Sequence, residues 1–328
     1  MMMAQVPSID ISPFRSEDGG ARASVARAVA KACEEIGFFK ISRHGVALDL
    51  VARAFATASD FFDLPQEIKD RSRPSESSSA RGYHALRTKN LAKTLGYDNP
   101  PDLREQFYIG PLTSRSLEFA HIPGAAELYA ENIWPQTPAD YKAAFSEYYR
   151  QLERLGGTLM RIFAVALGVE ERFFDDKIDR HFSTLPANHY PEPDGDPLPN
   201  QIRAGEHTDF GSLTILAVNG RVGGLQVKLK DGSWLDVTAE PDEFIVNIAD
   251  MMQRWTNDRW LSNVHRVVNP RAEARSGSRR MSFGYFLHPN YDAEIACLPT
   301  CQGPGNPPRY KPVRAGDMMR QKLEARAA

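Results

Sequence analysis

The chain has 328 residues, of which 42% are hydrophobic and 25% charged, and its formal net charge is −2. This is the composition of an ordinary globular protein, and the scattered lysines and arginines form no basic stripe that would bind nucleic acid. The first nine residues lack the features of a signal peptide, and no apolar run approaches the roughly 20 residues of a membrane span. Cys33, Cys297 and Cys301 are an odd set and not a disulfide framework. We therefore expect a cytoplasmic protein whose partners are neither nucleic acid nor membrane.

Helical periodicity dominates the first 175 residues. Apolar side chains at spacings of three and four predict helices over 20–36, 48–62, 64–71 and 138–167. Short strands are predicted at 6–11 and 38–41 and entering at 104–108, and the serine-rich stretch 73–85 is predicted to be a loop. Residues 1–175 are therefore expected to be a helical region with short strands that wraps a core formed by the rest of the chain.

After residue 182 the helical spacing of apolar residues gives way to short strand-like runs. Short strands separated by Gly, Asp, Asn and Pro turns are predicted at 182–190, 213–218, 225–229, 234–237, 244–248, 264–268 and 281–287. Many short strands at near-regular spacing indicate an antiparallel barrel or jelly roll. The predicted fold class is α+β, with a jelly-roll core and a C-terminal extension in residues 176–328.

The stretch Glu206–Leu216 is the most informative part of the chain. On an extended backbone side chains alternate between faces, so His207 and Asp209 would point the same way. An imidazole and a carboxylate on one face are two of the three ligands of a 2-His-1-carboxylate iron site, although a His-x-Asp pair is also common on protein surfaces. His265 lies in a later predicted strand and is the histidine in the right context to be the third ligand.

Arg280 and Ser282 share a face of the next predicted strand. A guanidinium can pair with a carboxylate through two hydrogen bonds, and a serine hydroxyl adds a donor. The Arg-x-Ser pair is a weak motif alone and gains weight from following His265. Three protein ligands leave three positions of a six-coordinate iron open, so a cosubstrate with two carboxylates, such as 2-oxoglutarate, could bind iron at one end and Arg280 at the other.

An ordered series of motifs resembles the isopenicillin N synthase-like superfamily of iron(II)- and 2-oxoglutarate-dependent oxygenases. The matching segments are VPSID at 6–10, GFF at 37–39, HGV at 44–46, RGY at 81–83, NHYP at 188–191, HTD at 207–209, LTIL at 213–216, GLQV at 224–227, VNIAD at 246–250, NVHRV at 263–267 and Arg280-x-Ser282. The family usually has Gly-Asp where this chain has Ala249-Asp250, which we expect to be a structural difference only.

The resemblance implies a double-stranded β-helix in which His207, Asp209 and His265 bind Fe(2+). It also implies that Arg280 and Ser282 hold the distal carboxylate of the cosubstrate 2-oxoglutarate. The implied reaction uses O2, releases succinate and CO2, and oxidises an unactivated C–H bond of a small organic molecule, with hydroxylation as the default outcome.

Further residues are assigned through the resemblance. Asn188 and Tyr190 match positions that hydrogen-bond the cosubstrate, whereas Tyr83 and Phe286 match positions that line the substrate pocket. Phe107 is added to the pocket because residues 104–108 are expected to shape it. The sequence indicates neither the substrate nor the oligomeric state.

The sequence is compatible with three alternatives. The first is a 2-oxoglutarate-independent oxidase or cyclase on the same scaffold, because in isopenicillin N synthase itself a similar Arg-x-Ser pair binds a different carboxylate. A non-catalytic ligand-binding relative is the second, and a zinc hydrolase, which would need a general base beside the metal, is the third. Arg87 or Arg104 could meet an anionic substrate, but surface salt bridges are the favoured interpretation of both residues.

Overall fold

The structure, a computed structural model, describes residues 5–75, 80–219 and 223–327. Its strands, numbered in chain order, are β1 Ser8–Asp10, β2 Phe38–Ser42, β3 Gly82–His84, β4 Glu105–Ile109, β5 Leu185–Tyr190, β6 Ala204–His207, β7 Leu213–Asn219, β8 Leu225–Lys228, β9 Trp234–Asp236, β10 Phe244–Ile248, β11 His265–Val267, β12 Arg280–Leu287, β13 Glu294–Ile295 and β14 Val313–Arg314. Its α-helices are α1 Gly19–Glu35, α2 Leu48–Phe62, α3 Gln66–Asp70, α4 Ala125–Leu128, α5 Tyr141–Ala166, α6 Asp175–Ile178, α7 Asp250–Trp255 and α8 Ala315–Ala327. None of the helices in these ranges is long and apolar enough to cross a membrane.

Two β-sheets form the core. The larger sheet has the strand order β1-β2-β10-β7-β12-β5-β4-β3, and the smaller has the order β6-β11-β8-β9. Only the pairing of β1 with β2 is parallel within these two sheets, as far as the described residues show. A cavity between the sheets is lined by side chains from both. The predicted α+β fold with a jelly-roll core is therefore confirmed.

Strand β12 shows how the large sheet separates the helices from the cavity. Phe283, Tyr285 and Leu287 are buried on one face. The Phe283 ring stacks on Phe55 of α2 at 4.0 Å between centroids, and Tyr285 lies edge-on to Tyr149 of α5 at 5.4 Å. The intervening residues of the strand face the cavity instead. The alternation of the extended chain thus builds the helix-packed core and the site from one strand.

The N-terminal region contributes more to the sheet than its sequence predicts. Strands β1 and β2 form one edge of the large sheet, and β4 and β3 form the other. The stretch 73–85, predicted to be a loop, contains β3, while its residues 76–79 lie outside the described ranges. A three-residue strand has too short a pattern to be recognised locally, because its pairing with β4 defines it.

Residues 207–209 do not lie on one strand, which corrects the expectation that alternation along an extended backbone brings His207 and Asp209 together. β6 ends at His207 in the small sheet, and β7 begins at Leu213 in the large sheet. Asp209 lies in the connection between them. Its convergence with His207 therefore depends on the passage of the chain from the small sheet to the large sheet, and not on alternation along a single strand.

Gly37→Ala should destabilise the fold. Gly37 follows α1 with φ +72°, and a Cβ there would lie 2.3 Å from the carbonyl oxygen of Leu261. Alanine would therefore strain the backbone and push against a second backbone segment, at a cost of more than about 1 kcal/mol in the free energy of unfolding. Urea denaturation measures this loss. Gly19→Ala in the first turn of α1 is the matched control, because open space surrounds its Cβ position; equal stability of the two variants would contradict the prediction.

Candidate metal centre

Three side chains converge between the two sheets. His207 at the end of β6 is paired in register with His265 at the start of β11. Asp209 follows β6, and its Oδ1 lies 3.8 Å from Nε2 of His207 and 3.7 Å from Nε2 of His265. Among the residues that the structure describes, this is the one cluster of histidine, cysteine and acidic side chains with ligand atoms close enough to share a metal ion.

Hydrogen bonds to the backbone orient both imidazoles. Nδ1 of His207 lies 2.7 Å from the carbonyl oxygen of Gly205, and Nδ1 of His265 lies 3.1 Å from that of Asn263. A carbonyl oxygen only accepts, so Nδ1 carries the proton and Nε2 offers its lone pair toward Asp209. One ion with bonds of about 2.1 Å can reach donor atoms at this spacing, so the residues fit a divalent transition metal.

The charge state of the cluster also suits a metal. Burial, followed by the nearby charge of His265, lowers the pKa of His207 to about 3. Burial acts to raise the pKa of Asp209, but the two histidines and the hydrogen bonds from Thr214 and Asn247 lower it overall. A neutral imidazole therefore faces an ionised carboxylate near neutral pH, which is the protonation state that metal ligation requires.

Thr214→Val and Asn247→Leu should weaken iron binding without removing a ligand. Oδ2 of Asp209 accepts hydrogen bonds from Thr214 Oγ1 at 2.5 Å and from Asn247 Nδ2 at 2.7 Å. Loss of such outer contacts typically costs about 10–100-fold in metal affinity. Titration of the apoprotein with iron(II) measures the change. Thr208→Val is the matched control, because the Thr208 hydroxyl donates to Asp250 and not to the cluster; an effect of the control as large as that of Thr214→Val would contradict the assignment.

The residues assigned to the cosubstrate lie in two rows across β5 and β12. Tyr190 is paired with Arg280, and Asn188 is paired with Ser282. All four line the cavity, together with the three metal-ligand candidates. Nη1 of Arg280 donates to Ser282 Oγ at 3.3 Å, and the guanidinium lies 5.0 Å from the centre of the Tyr190 ring.

Arg280 is a buried cation that lacks an acidic partner within the described ranges. It is 3% exposed, and burial lowers the pKa of its guanidinium. An uncompensated buried charge is costly, and a bound carboxylate would offset that cost. Asn188 is more fully engaged, because its Oδ1 already accepts from Gln106 Nε2 at 2.7 Å.

Apolar side chains form one wall of the cavity, beside the polar groups described above. Phe286 lines it, with Phe38, Leu216, Leu225 and Val267 among its apolar neighbours. Tyr83 and Phe107, also assigned to the pocket, are 1% exposed and pack in the helix-side core around Phe61. Alternation of side chains along β4 accounts for this position. Phe107 is three residues from the cavity-lining Arg104, so it points to the opposite face of the sheet.

The position of Arg104 also differs from the one expected from the sequence. It was expected to form a surface salt bridge, but it is 8% exposed and lines the cavity. Thr214 and Asn247 were not predicted as site residues. Alternation along their own strands could have placed them on the cavity face, but only the pairing of β7 with β10 brings both to Asp209.

Comparisons with known proteins agree with this geometry. Residues 6–137 match the family described as the N-terminal region of non-haem dioxygenases in morphine synthesis, and residues 182–289 match the 2OG-Fe(II) oxygenase superfamily. The 2-oxoglutarate-Fe(II) type oxidoreductase hxnY of Emericella nidulans is 36% identical over 96% of this chain and 88% of its own length. Validamycin A dioxygenase of Streptomyces hygroscopicus subsp. limoneus is 34% identical over 93% of this chain and 82% of its own.

Solved structures give the same result. A full-length Neurospora crassa protein in complex with alpha-KG, which is 2-oxoglutarate, has a TM-score of 0.85 and 30% identity, covering 98% of this chain and 96% of that one. Another structure of that Neurospora protein also contains 5-formyluracil, a small molecule. The fold and the site therefore define an iron(II)- and 2-oxoglutarate-dependent oxygenase. The chain belongs to the 2OG-Fe(II) oxygenase superfamily, and its cofactors are Fe(2+), 2-oxoglutarate and O2.

Proposed function

We propose that the protein hydroxylates a C–H bond of a small organic molecule, with Fe(2+) bound by His207, Asp209 and His265 and with the distal carboxylate of 2-oxoglutarate held by Arg280 and Ser282. One observation carries the residue assignment: a buried guanidinium without an acidic partner shares a cavity with the only described metal-ligand cluster. A dianionic keto acid can satisfy both ends of that cavity, because one end binds the metal and the other binds the guanidinium.

Iron(II) and 2-oxoglutarate, when bound, would supply the oxygen activation, with 2-oxoglutarate converted to succinate and CO2. The role of the chain is to position these reactants and to exclude water. The carbonyls of Gly205 and Asn263 fix the imidazoles, while Thr214 and Asn247 fix the carboxylate of Asp209. Strong positioning of this kind lowers the entropic cost of bringing the reactants together.

The cosubstrate pocket is completed by Tyr190 and Asn188 in this proposal. Tyr190 lies against the Arg280 guanidinium, and the amide of Asn188 lies beside Ser282. Phe286 and its apolar neighbours form the wall that the substrate contacts. An apolar wall around a few polar anchors is typical of small-molecule sites, and it keeps water away from the reacting C–H bond.

The wider proposal keeps residues 1–175 as the region that wraps an oxygenase core in residues 176–328. The two separate family matches, 6–137 and 182–289, support that division. A cytoplasmic location, with neither nucleic acid nor membrane as partner, completes the proposal.

A screen for succinate release over a library of small metabolites, with iron(II), 2-oxoglutarate and O2, tests the function. We expect one or a few compounds to raise succinate release and to yield a product heavier by one oxygen atom. Product formation without succinate would instead support a 2-oxoglutarate-independent oxidase. Absence of both, together with no binding of 2-oxoglutarate to the iron-loaded protein, would overturn the proposal.

A further inference from the structure

The cosubstrate rows extend onto a third strand. β4 pairs with β5 so that Gln106 lies opposite Asn188, and the residue that enters β4, Arg104, continues this register opposite Tyr190. Because Arg280 is paired with Tyr190 on its other side, two arginines flank one tyrosine across three neighbouring strands. Both arginines line the cavity.

The contacts of Arg104 leave part of its hydrogen-bonding capacity unused. Nη2 lies 3.2 Å from a carboxylate oxygen of Asp102, and Nη1 donates to Asn188 Oδ1 at 3.3 Å. Nε is buried and has no hydrogen-bond partner. Arg104 lines the same cavity as the metal-ligand candidates His207, Asp209 and His265. A polar group bound by Arg104 would therefore sit near the reacting centre.

The positive charge near the cavity exceeds what 2-oxoglutarate neutralises once Arg203, which is not among the cavity-lining residues, is counted. Arg203, which is 2% exposed, donates to Ser278 and lies 5.9 Å from the Tyr190 ring, and burial followed by the charge of Arg280 lowers its pKa to about 10. Asp102 neutralises Arg104, but neither Arg203 nor Arg280 has an acidic partner in the described chain. Iron(II), Asp209 and these two arginines carry three net positive charges. Dianionic 2-oxoglutarate neutralises two of them, which leaves one.

We propose that the substrate carries a carboxylate and that Arg104 binds it beside the metal centre. This inference rests on the proposed function and names the substrate class of the same site. Guanidinium binds carboxylate through two parallel hydrogen bonds, and Arg104 is preoriented for such a contact by Asp102. Asp102 is itself held by the backbone amides of Gly205 and Leu91, so the anchor is fixed to β6 and thereby to His207.

The test uses a panel of small aliphatic, aromatic and heteroaromatic carboxylic acids, each matched with its primary amide. Binding to the protein loaded with iron(II) and 2-oxoglutarate is measured by calorimetry without O2, and succinate release is measured with O2. We expect the acids that bind wild type to do so at least roughly tenfold more tightly than their amides. Arg104→Gln should remove this preference, whereas Arg104→Lys should retain part of it.

Arg87→Gln is the matched control, because Arg87 is exposed and lies outside the cavity lining. We expect it to keep the acid preference of wild type. If Arg104→Gln fails to fold, Asp102→Asn with Arg104→Gln removes both members of the charge pair and retains an acceptor for one of the two backbone amides. Equal binding of acids and amides to wild type, binding of no acid at all, or an unchanged preference without Arg104 would each overturn the proposal.

The same preparations separate this inference from the proposed function. Succinate release that responds to neutral compounds but not to acids overturns the carboxylate class and leaves the oxygenase intact. A wild-type protein that binds iron(II) but not 2-oxoglutarate overturns the proposed function itself.

Discussion

Asp209→Ala and His207→Ala are each expected to reduce iron-dependent turnover of 2-oxoglutarate to background, which we place at more than roughly 100-fold. Removal of an outer contact costs about 10–100-fold in metal affinity, so removal of a ligand should cost more. Asp209 also supplies the negative charge that both imidazoles face. Succinate release and iron content of the purified variants measure the loss.

Glu206→Gln is the matched control for these variants. Glu206 precedes His207 in the chain, but its carboxylate pairs with Arg266 at 3.1 Å and does not line the cavity. We expect normal iron content and normal turnover from this variant. Thermal unfolding should show that all three variants are folded. Substantial turnover in a folded Asp209→Ala protein would show that the metal binds elsewhere.

Arg280→Gln should raise the 2-oxoglutarate requirement sharply. Loss of one partner of a buried, hydrogen-bonded charge pair costs on the order of 2–5 kcal/mol, which corresponds to roughly 30- to 4,000-fold in apparent affinity. The variant should also discriminate less between 2-oxoglutarate and 2-oxobutyrate, because the latter lacks the distal carboxylate. The apparent KM for each keto acid, measured with the same substrate, gives both results.

Arg279→Gln controls for loss of an arginine from the same strand entry. Arg279 points to the other face, where it pairs with Asp63 at 2.8 Å and donates to His189 Nε2 at 2.9 Å. Its apparent KM for 2-oxoglutarate should stay close to that of wild type. If the two variants showed the same KM, or if Arg280→Gln still preferred 2-oxoglutarate as strongly as wild type, the distal carboxylate would have to bind another residue.

Local patterns were sufficient where one element defines the structure. Helix α2 has the predicted bounds 48–62, and strand β10 has the predicted bounds 244–248, because a long amphipathic period or a buried apolar run requires no partner to be recognised. Arg280, Ser282 and Phe286 lie on one face of β12 for the same reason, since alternation along a strand is a local property.

Patterns that depend on a partner strand were harder to interpret. Tyr83 and Phe107 resemble pocket residues by position in the chain, yet their rings pack on the helix side of the sheet. The sequence does not predict the short helix α7. This helix contacts the site, because the backbone amide of Asp250 at its start donates to the carbonyl oxygen of Asp209. These features depend on strand register and on the passage of the chain between sheets, which a single sequence does not specify locally.

The sequence by itself determined the chemical class, because the ligand types and the order of the motifs are sequence properties that define the iron- and 2-oxoglutarate-dependent family. Only the tertiary structure decided how the site is assembled. Thr214 and Asn247 hold Asp209 because β7 and β10 are adjacent, and Arg104 reaches the cavity because β4 pairs with β5. The physical reason is that hydrogen bonds and charge pairs in a buried site join residues distant in sequence, whereas periodicity reports only which face of its own element a residue occupies.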